Sequence, residues 1–436
     1  MTNLSANTNT ITPVGQPHFH YQEQALFVEQ LSVQALAKEY GTPLFIYSKA
    51  ALKAAWERYQ EAIGDHDVLI CYAMKANSNL AILNLFAQWG AGFDIVSGGE
   101  LARALKAGAD PQKVIFSGVG KQAWEIKAAL EANIKCFNVE SIPELSLIQE
   151  VAQAIDKKAA ISLRVNPDVD AKTHPYISTG LKDNKFGIAM EDALATYEHA
   201  KTLSHIEIVG LDCHIGSQIT QLEPYYDALE RLLALMDQLR SKGIELKHLD
   251  IGGGLGIRYQ DETLPHPRDL INPTLQALAE RGYGDLQLAL EPGRSLVGNS
   301  GILVTEVLFL KDGETKNFAI VDAAMNDLIR PTLYDAYHGA LAVEARDGNT
   351  KRYDIVGPIC ESGDWLAKDR DFALETGDLI AIESTGAYGF VMSGQYNTRP
   401  RAAEILVDGA QSFIIRHRET IEELFEHEVI PNTSNS

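Results

Sequence analysis

The stretch Asp67-Val68-Leu69-Ile70-Cys71-Tyr72-Ala73-Met74-Lys75-Ala76-Asn77 decides the fold. Its first seven residues form a β-branched and apolar run short enough for a strand buried on both faces. A break follows at once, and the break carries a lysine. Seven comparable runs follow at Phe93–Val96, Val114–Ser117, Ile134–Val139, Ala160–Val165, Ile206–His214, His248–Ile251 and Gln287–Leu290. Stretches of helical period separate them, such as Leu80–Trp89, Glu100–Ala107, Ala123–Ala132, Pro143–Ile155, Glu191–Leu203 and Pro224–Lys242. Eight strands alternating with helices predict an α/β chain folded as a (β/α)8 TIM barrel. A doubly wound open sheet is the alternative, but it needs its glycine-rich loop after the first strand rather than the seventh.

Beyond Gly301 the texture changes to runs such as Ile302–Phe309, Asn317–Val321, Arg352–Val356 and Leu379–Glu383, punctuated by Gly and Asp. Helical pattern returns only in the last twenty residues. This predicts a β-rich C-terminal domain, a sandwich or Greek-key barrel. The expected division is a tail at 1–18, a segment at 19–48 joining the β-domain, a barrel at 49–300 and the β-domain at 301–436.

Composition narrows the function classes. Lys and Arg total 38 against 59 Asp and Glu, a formal net charge of -21 that repels nucleic acid and anionic membranes. Small polar substrates are the expected partners. Cys71, Cys136, Cys213 and Cys360 show no CxxC pairing, and the histidines show no ligand spacing. The expectation is a reducing, cytoplasmic setting and no metal.

Barrel enzymes place their chemistry at the C-terminal ends of strands. Lys75 stands at the first, where partial desolvation favours imine formation with an aldehyde; the plain alternative is a rim lysine in an ion pair. His214 ends the sixth strand ahead of Ile215-Gly216-Ser217-Gln218, placed either to stack on an aromatic ligand or to fill a structural role. Gly252, Gly253, Gly254 and Gly256 follow the seventh strand and offer backbone N–H groups to a phosphate. Glu291-Pro292-Gly293-Arg294 follows the eighth, adding a carboxylate and a counter-charge. An imine-forming lysine, a stacking imidazole, a phosphate cradle and a carboxylate for a pyridine nitrogen are together the needs of pyridoxal 5′-phosphate.

These residues resemble the alanine-racemase-like, or fold-type III, pyridoxal-phosphate-dependent decarboxylases, in the branch acting on diaminopimelate. The motifs are Tyr72–Asn77, Thr173–Gly180 running on to Asn184–Gly187, His214–Gln218, Glu291–Arg294, Arg330–Tyr334, Gly357–Asp364 and Gly386–Gly389. The resemblance implies that Lys75 carries the cofactor, His214 stacks on its ring and Glu291 pairs with the ring nitrogen. Ser217, Gly253, Gly254, Tyr388 and the turn Glu291, Pro292, Gly293, Arg294 are implied to hold the phosphate. It further implies a homodimer with shared sites, in which Cys360, Glu361 and Tyr388 reach across and Cys360 reprotonates Cα after carbon dioxide leaves. Glu361, Arg294, Arg330 and Tyr334 are then the groups for a distal amine and carboxylate, as in meso-2,6-diaminopimelate, the precursor of L-lysine. The alternatives are a relative acting on ornithine, lysine or another amino acid, a racemase, and a silent cofactor-binding regulator.

Overall fold

The computed structural model describes residues 12–170, 185–346 and 348–433. The Thr173–Gly180 motif and Asn184 lie outside them. Two compact units emerge: Leu52–Gly298, and a second in which the residues up to Ala51 join those from Asn299 onward.

Eight parallel strands close the first unit into a barrel. They are Val68–Ala73, Gly92–Ile95, Val114–Phe116, Cys136–Val139, Ala159–Asn166, Ile206–Asp212, His248–Asp250 and Gln287–Leu290, each paired with the next and the last with the first. The sequence count of eight holds. The strands are apolar runs because helices cover one face and the packed interior the other, so both faces are shielded from water. The helices begin where side chains satisfy their first N–H groups. Ser97 accepts from Glu100 N at 3.2 Å, and Ser141 accepts from Glu144 N at 3.3 Å ahead of Pro143. These two caps start the helices directly after the second and fourth strands and fix those loops at the barrel mouth. Beneath the loops, Lys121 Nζ is wholly buried and donates to Glu144 Oε1 at 2.7 Å and to the Gly118 and Asn138 carbonyls.

The second unit is mostly strand. Its long strand Gly301–Lys311 changes partners along its length: Gly301–Val304 pair with Tyr47–Leu44, Leu303–Glu306 with Ile382–Leu379, and Val307–Lys311 with Val321–Phe318. Leu44–Ser48 is completely buried and has Ala403–Asp408 as its other, parallel neighbour. Leu44, Ile46, Ile302, Val304, Ile405 and Val407 form part of one apolar core. Two strands escape the apolar pattern. Trp365–Phe372 carries four charged residues because it is an edge strand, and Gln411–Arg416 is the opposite edge. The helical expectation for the last twenty residues is corrected, since their described part contains only a 3-10 turn at Glu422–Leu424. Ile421, Leu424 and Phe425 stand at helical spacing there, but Ile421 and Phe425 are about half exposed, so little packing holds a helix. No helix among the described residues is long and apolar enough to cross a membrane.

Candidate active site

Lys75 lies in a single 3-10 turn, Met74–Ala76, directly after the first barrel strand. Tyr72 clamps that turn by donating its hydroxyl to the Asn77 carbonyl at 2.8 Å. The lysine side chain is 37% exposed, and its Nζ donates to Asp94 Oδ2 at 2.9 Å, whose side chain is fully buried. One end of the pair therefore faces the mouth while the other is fixed in the barrel wall.

Around Asp94 the barrel interior is unusually acidic. Asp212, Asp250 and Glu291 each bring a carboxylate oxygen within 4.8 Å of the others, and all three side chains are buried. Asn138 Nδ2 donates to Glu291 Oε1 at 3.3 Å, with Ser117 Oγ at 3.4 Å from the same atom. Burial, reinforced by the charges of Asp250, Asp94 and Asp212, pushes Glu291 well above the usual carboxylate range, and Lys75 opposes the shift only in part. Asp250 is pushed up to about 7, by burial first and by Asp94, despite the Gly252 N–H it accepts at 2.8 Å.

His214 sits at the end of the sixth strand, half-buried, with Nδ1 accepting from Gly253 N at 3.2 Å. Burial, and behind it the charges of Arg164 and Lys75, depress its pKa well below the ordinary value, so the ring is neutral. The glycine loop is shaped by contact. A Cβ on Gly253 would lie 2.0 Å from the Glu291 carbonyl oxygen, and Gly254 has φ +107° with a Cβ position 2.4 Å from the Gly216 carbonyl. Thus the loops after strands six, seven and eight touch through backbone alone. Next to them Arg294 donates from Nε and Nη2 to Ser217 Oγ at 3.3 and 3.1 Å and from Nη1 to the Tyr259 hydroxyl at 2.6 Å. The structure therefore gathers Lys75, His214, Ser217, Gly253, Gly254 and the Glu291–Arg294 turn at one barrel mouth.

The remaining candidates belong to the second unit. Arg330 is buried, its guanidinium 5.6 Å from the centroid of Tyr334 and 5.9 Å from that of Tyr388, with Nε 3.4 Å from His338 Nε2. Cys360 is exposed on the Gly357–Asp364 loop, and its N–H donates to Asn397 Oδ1 at 2.9 Å. Glu361 accepts from the Tyr396 hydroxyl at 2.6 Å. Asp364 anchors this loop by accepting from Met325 N and Ile359 N, both at 2.7 Å, and Thr332 Oγ1 ties it to the Arg330 helix through the Gly363 carbonyl at 2.6 Å. The loop is thus held at its base while its tip, Cys360 and Glu361, faces outward.

Sequence reasoning missed Asp94, Arg164, Asp212, Asp250 and Glu140. Glu140 accepts from Arg164 Nη1 at 3.1 Å, from Gly118 N at 2.9 Å and from Gly187 N at 3.1 Å, drawing three loops together. A signal existed: each is a charged residue near the C-terminal end of a mostly apolar barrel strand, or one position beyond it, the end where this fold places its functional groups.

Residues 49–298 match the profile of the family described as pyridoxal-dependent decarboxylase, pyridoxal binding domain. The diaminopimelate decarboxylase of Pseudomonas aeruginosa is 58% identical over 93% of this chain and 97% of its own. That of Vibrio cholerae is 55% identical over 94% and 98%. The crystal structure of diaminopimelate decarboxylase from Helicobacter pylori complexed with L-lysine superposes with a TM-score of 0.87 at 45% identity, covering 91% of this chain and 98% of that one.

Proposed function

The chain belongs to the pyridoxal-dependent decarboxylase family, and from that premise we propose that it converts meso-2,6-diaminopimelate to L-lysine and carbon dioxide. The observation that carries the reading is the barrel mouth itself, where Lys75, a neutral His214, a backbone-only glycine loop and the buried Glu291 converge. Those residues fit pyridoxal 5′-phosphate. The Gly253 cradle admits no side chain, and the buried oxygens Asp94 Oδ1, Asp212 Oδ1 and Asp250 Oδ2 make no hydrogen bond among the described residues, as suits a pocket built to receive positive charge. When bound, the cofactor supplies a cationic ring that accepts the electron pair left at Cα as carbon dioxide departs.

Lys75 is the residue that would hold it covalently, with Asp94 fixing the direction of the amine. His214, being uncharged, would stack on the ring without repelling a cation. Glu291 would pair with the ring nitrogen, and Ser217, Gly253, Gly254 and the Pro292–Arg294 turn would hold the phosphate. Arg294 is already aligned by Ser217 and Tyr259, so little side-chain freedom is lost on binding.

The second unit supplies the substrate-facing groups in this proposal. Cys360 Sγ delivers a proton to Cα, Arg330 with Tyr334 and Tyr388 binds a carboxylate, and Glu361 receives the distal ammonium. An acid and a guanidinium together suit a substrate with both charges at its far end. A homodimer in which this unit completes the partner's barrel mouth is part of the reading. It is supported by the exposure of Leu333 at 46% and Tyr396 at 49% beside the Cys360 loop. Four free thiols and the acidic surface suit a cytoplasmic enzyme.

The test is carbon dioxide release from meso-diaminopimelate, L-ornithine and L-lysine in parallel, with and without added cofactor. Release from diaminopimelate alone supports the proposal, and preference for either diamine-forming substrate overturns the substrate assignment.

A further inference from the structure

Five carboxylates surround the barrel mouth, those of Asp94, Glu140, Asp212, Asp250 and Glu291, and among the described residues Lys75 and Arg164 are the cations paired with them. Both cations are already engaged: Lys75 lies on Asp94 at 2.9 Å and Arg164 on Glu140 at 3.1 Å. Asp212, Asp250 and Glu291 therefore share a buried space, within 4.8 Å of one another, with no ion pair of their own among the described residues. Asp212 Oδ1 and Asp250 Oδ2 are buried and make no hydrogen bond among the described residues. Three adjacent carboxylates closed off from water do not all ionise, because like charges at this range repel strongly where water does not screen them.

The other titratable groups on the surrounding strands cannot relieve the imbalance. Burial keeps the thiols of Cys71, Cys136 and Cys213 protonated. His214 and His248 are neutral for the same reason. Among the described residues none supplies the missing positive charge, and a cationic ligand would.

Resting on the cofactor reading above, we infer that Asp212 and Asp250 are positioning residues that share a proton with Glu291 while the mouth is empty and release one when a cationic pyridine nitrogen docks on Glu291. Their part is to keep Glu291 uncharged without its partner and ionised with it. Charge on Glu291 is thereby made conditional on the ring. Asp250 also shapes the glycine loop through Gly252 N, whereas Asp212 does not, so the two separate electrostatics from loop geometry.

The probe is pyridoxine 5′-phosphate, which has the ring and the phosphate but no aldehyde, so Lys75 takes no covalent part. Protons released per ligand bound are counted in weakly buffered solution at about pH 6.5 for the cofactor-stripped wild type, Asp250→Asn and Asp212→Asn. Wild type is expected to release about one proton more than either variant, with affinity rising more steeply with pH below neutrality. Equal counts in all three proteins overturn this inference alone. A wild type that does not bind the probe overturns the cofactor reading and this inference with it. A deficit confined to Asp250→Asn assigns the effect to the glycine loop and overturns the shared-proton account.

Discussion

Asp94 Oδ2 lies 2.9 Å from Lys75 Nζ, a contact between a wholly buried acid and an amine that is 37% exposed. The acid has no freedom to follow the lysine, so the lysine is held to the acid. That geometry presents the amine to the mouth at a fixed site, as the proposed attachment of the cofactor to Lys75 requires.

Lys75→Ala is expected to reduce turnover to background and to abolish covalent capture of pyridoxal phosphate. Borohydride treatment followed by peptide mapping checks this. Wild type should carry the label on the peptide containing Lys75, and label on a different lysine in the variant refutes the assignment.

Glu291→Gln keeps the size and the hydrogen-bonding capacity toward Asn138 but removes the charge facing the ring nitrogen. Cofactor should remain bound while kcat falls about 100-fold or more, since a preorganised charge aimed at developing electron density is lost. Stopped-flow or steady-state carbon dioxide release at saturating substrate measures it; a near-normal kcat means another group sets the ring's electronics.

If Cys360 and its neighbours act on the partner's barrel, Lys75→Ala and Cys360→Ala proteins should complement each other. Mixed at equal concentration with subunit exchange demonstrated by two tags, half of the dimers are hybrids and each hybrid has one intact site. About a quarter of wild-type activity should return if sites act independently. Activity staying at the parental level places Cys360 within its own chain's site or outside the reaction.

Asp327 belongs to the second unit and is almost wholly buried, accepting from Ala324 N at 3.0 Å. Burial pushes it up to about 7, against the unfolded value of 3.8. The folded state therefore binds more protons than the unfolded state between those values, and stability falls as pH rises from about 4 to about 7. Each such group contributes up to about 1.4 kcal/mol per pH unit. Asp327→Asn should remove that slope, so Tm of the variant relative to wild type is expected to climb between pH 5 and pH 7. A constant difference across that interval shows that Asp327 ionises normally.

Much of the site was legible in the sequence, and the reasons are local. Lys75, His214, Gly253 and Glu291 stand where an apolar run stops, and a stop is visible without knowing neighbours. Asp94 and Asp250 are the only acids of their short strands and Asp212 is the last residue of its strand, and nothing nearby in sequence shows that they meet. Their encounter is created by barrel closure, which brings the second, sixth and seventh strands around one axis. Trp365–Phe372 was invisible for the opposite reason: an edge strand keeps its charges in water, so its composition reads as loop. The short helix Arg330–Tyr334 escaped because five residues give too little period to read.

Leu44 is paired with Val304 on one side and Ala403 on the other, so its strand belongs to a sheet whose remaining members come only after the whole barrel. On a ribosome, Leu44–Ser48 leaves the exit tunnel long before either neighbour exists. The barrel between them has time to fold while this apolar strand stays unpaired, and the second unit closes only once Asp408 has emerged. Synthesis order thus lets the barrel form before the second unit closes, and it leaves Leu44–Ser48 as a segment exposed to mispairing or chaperone capture in a stalled chain.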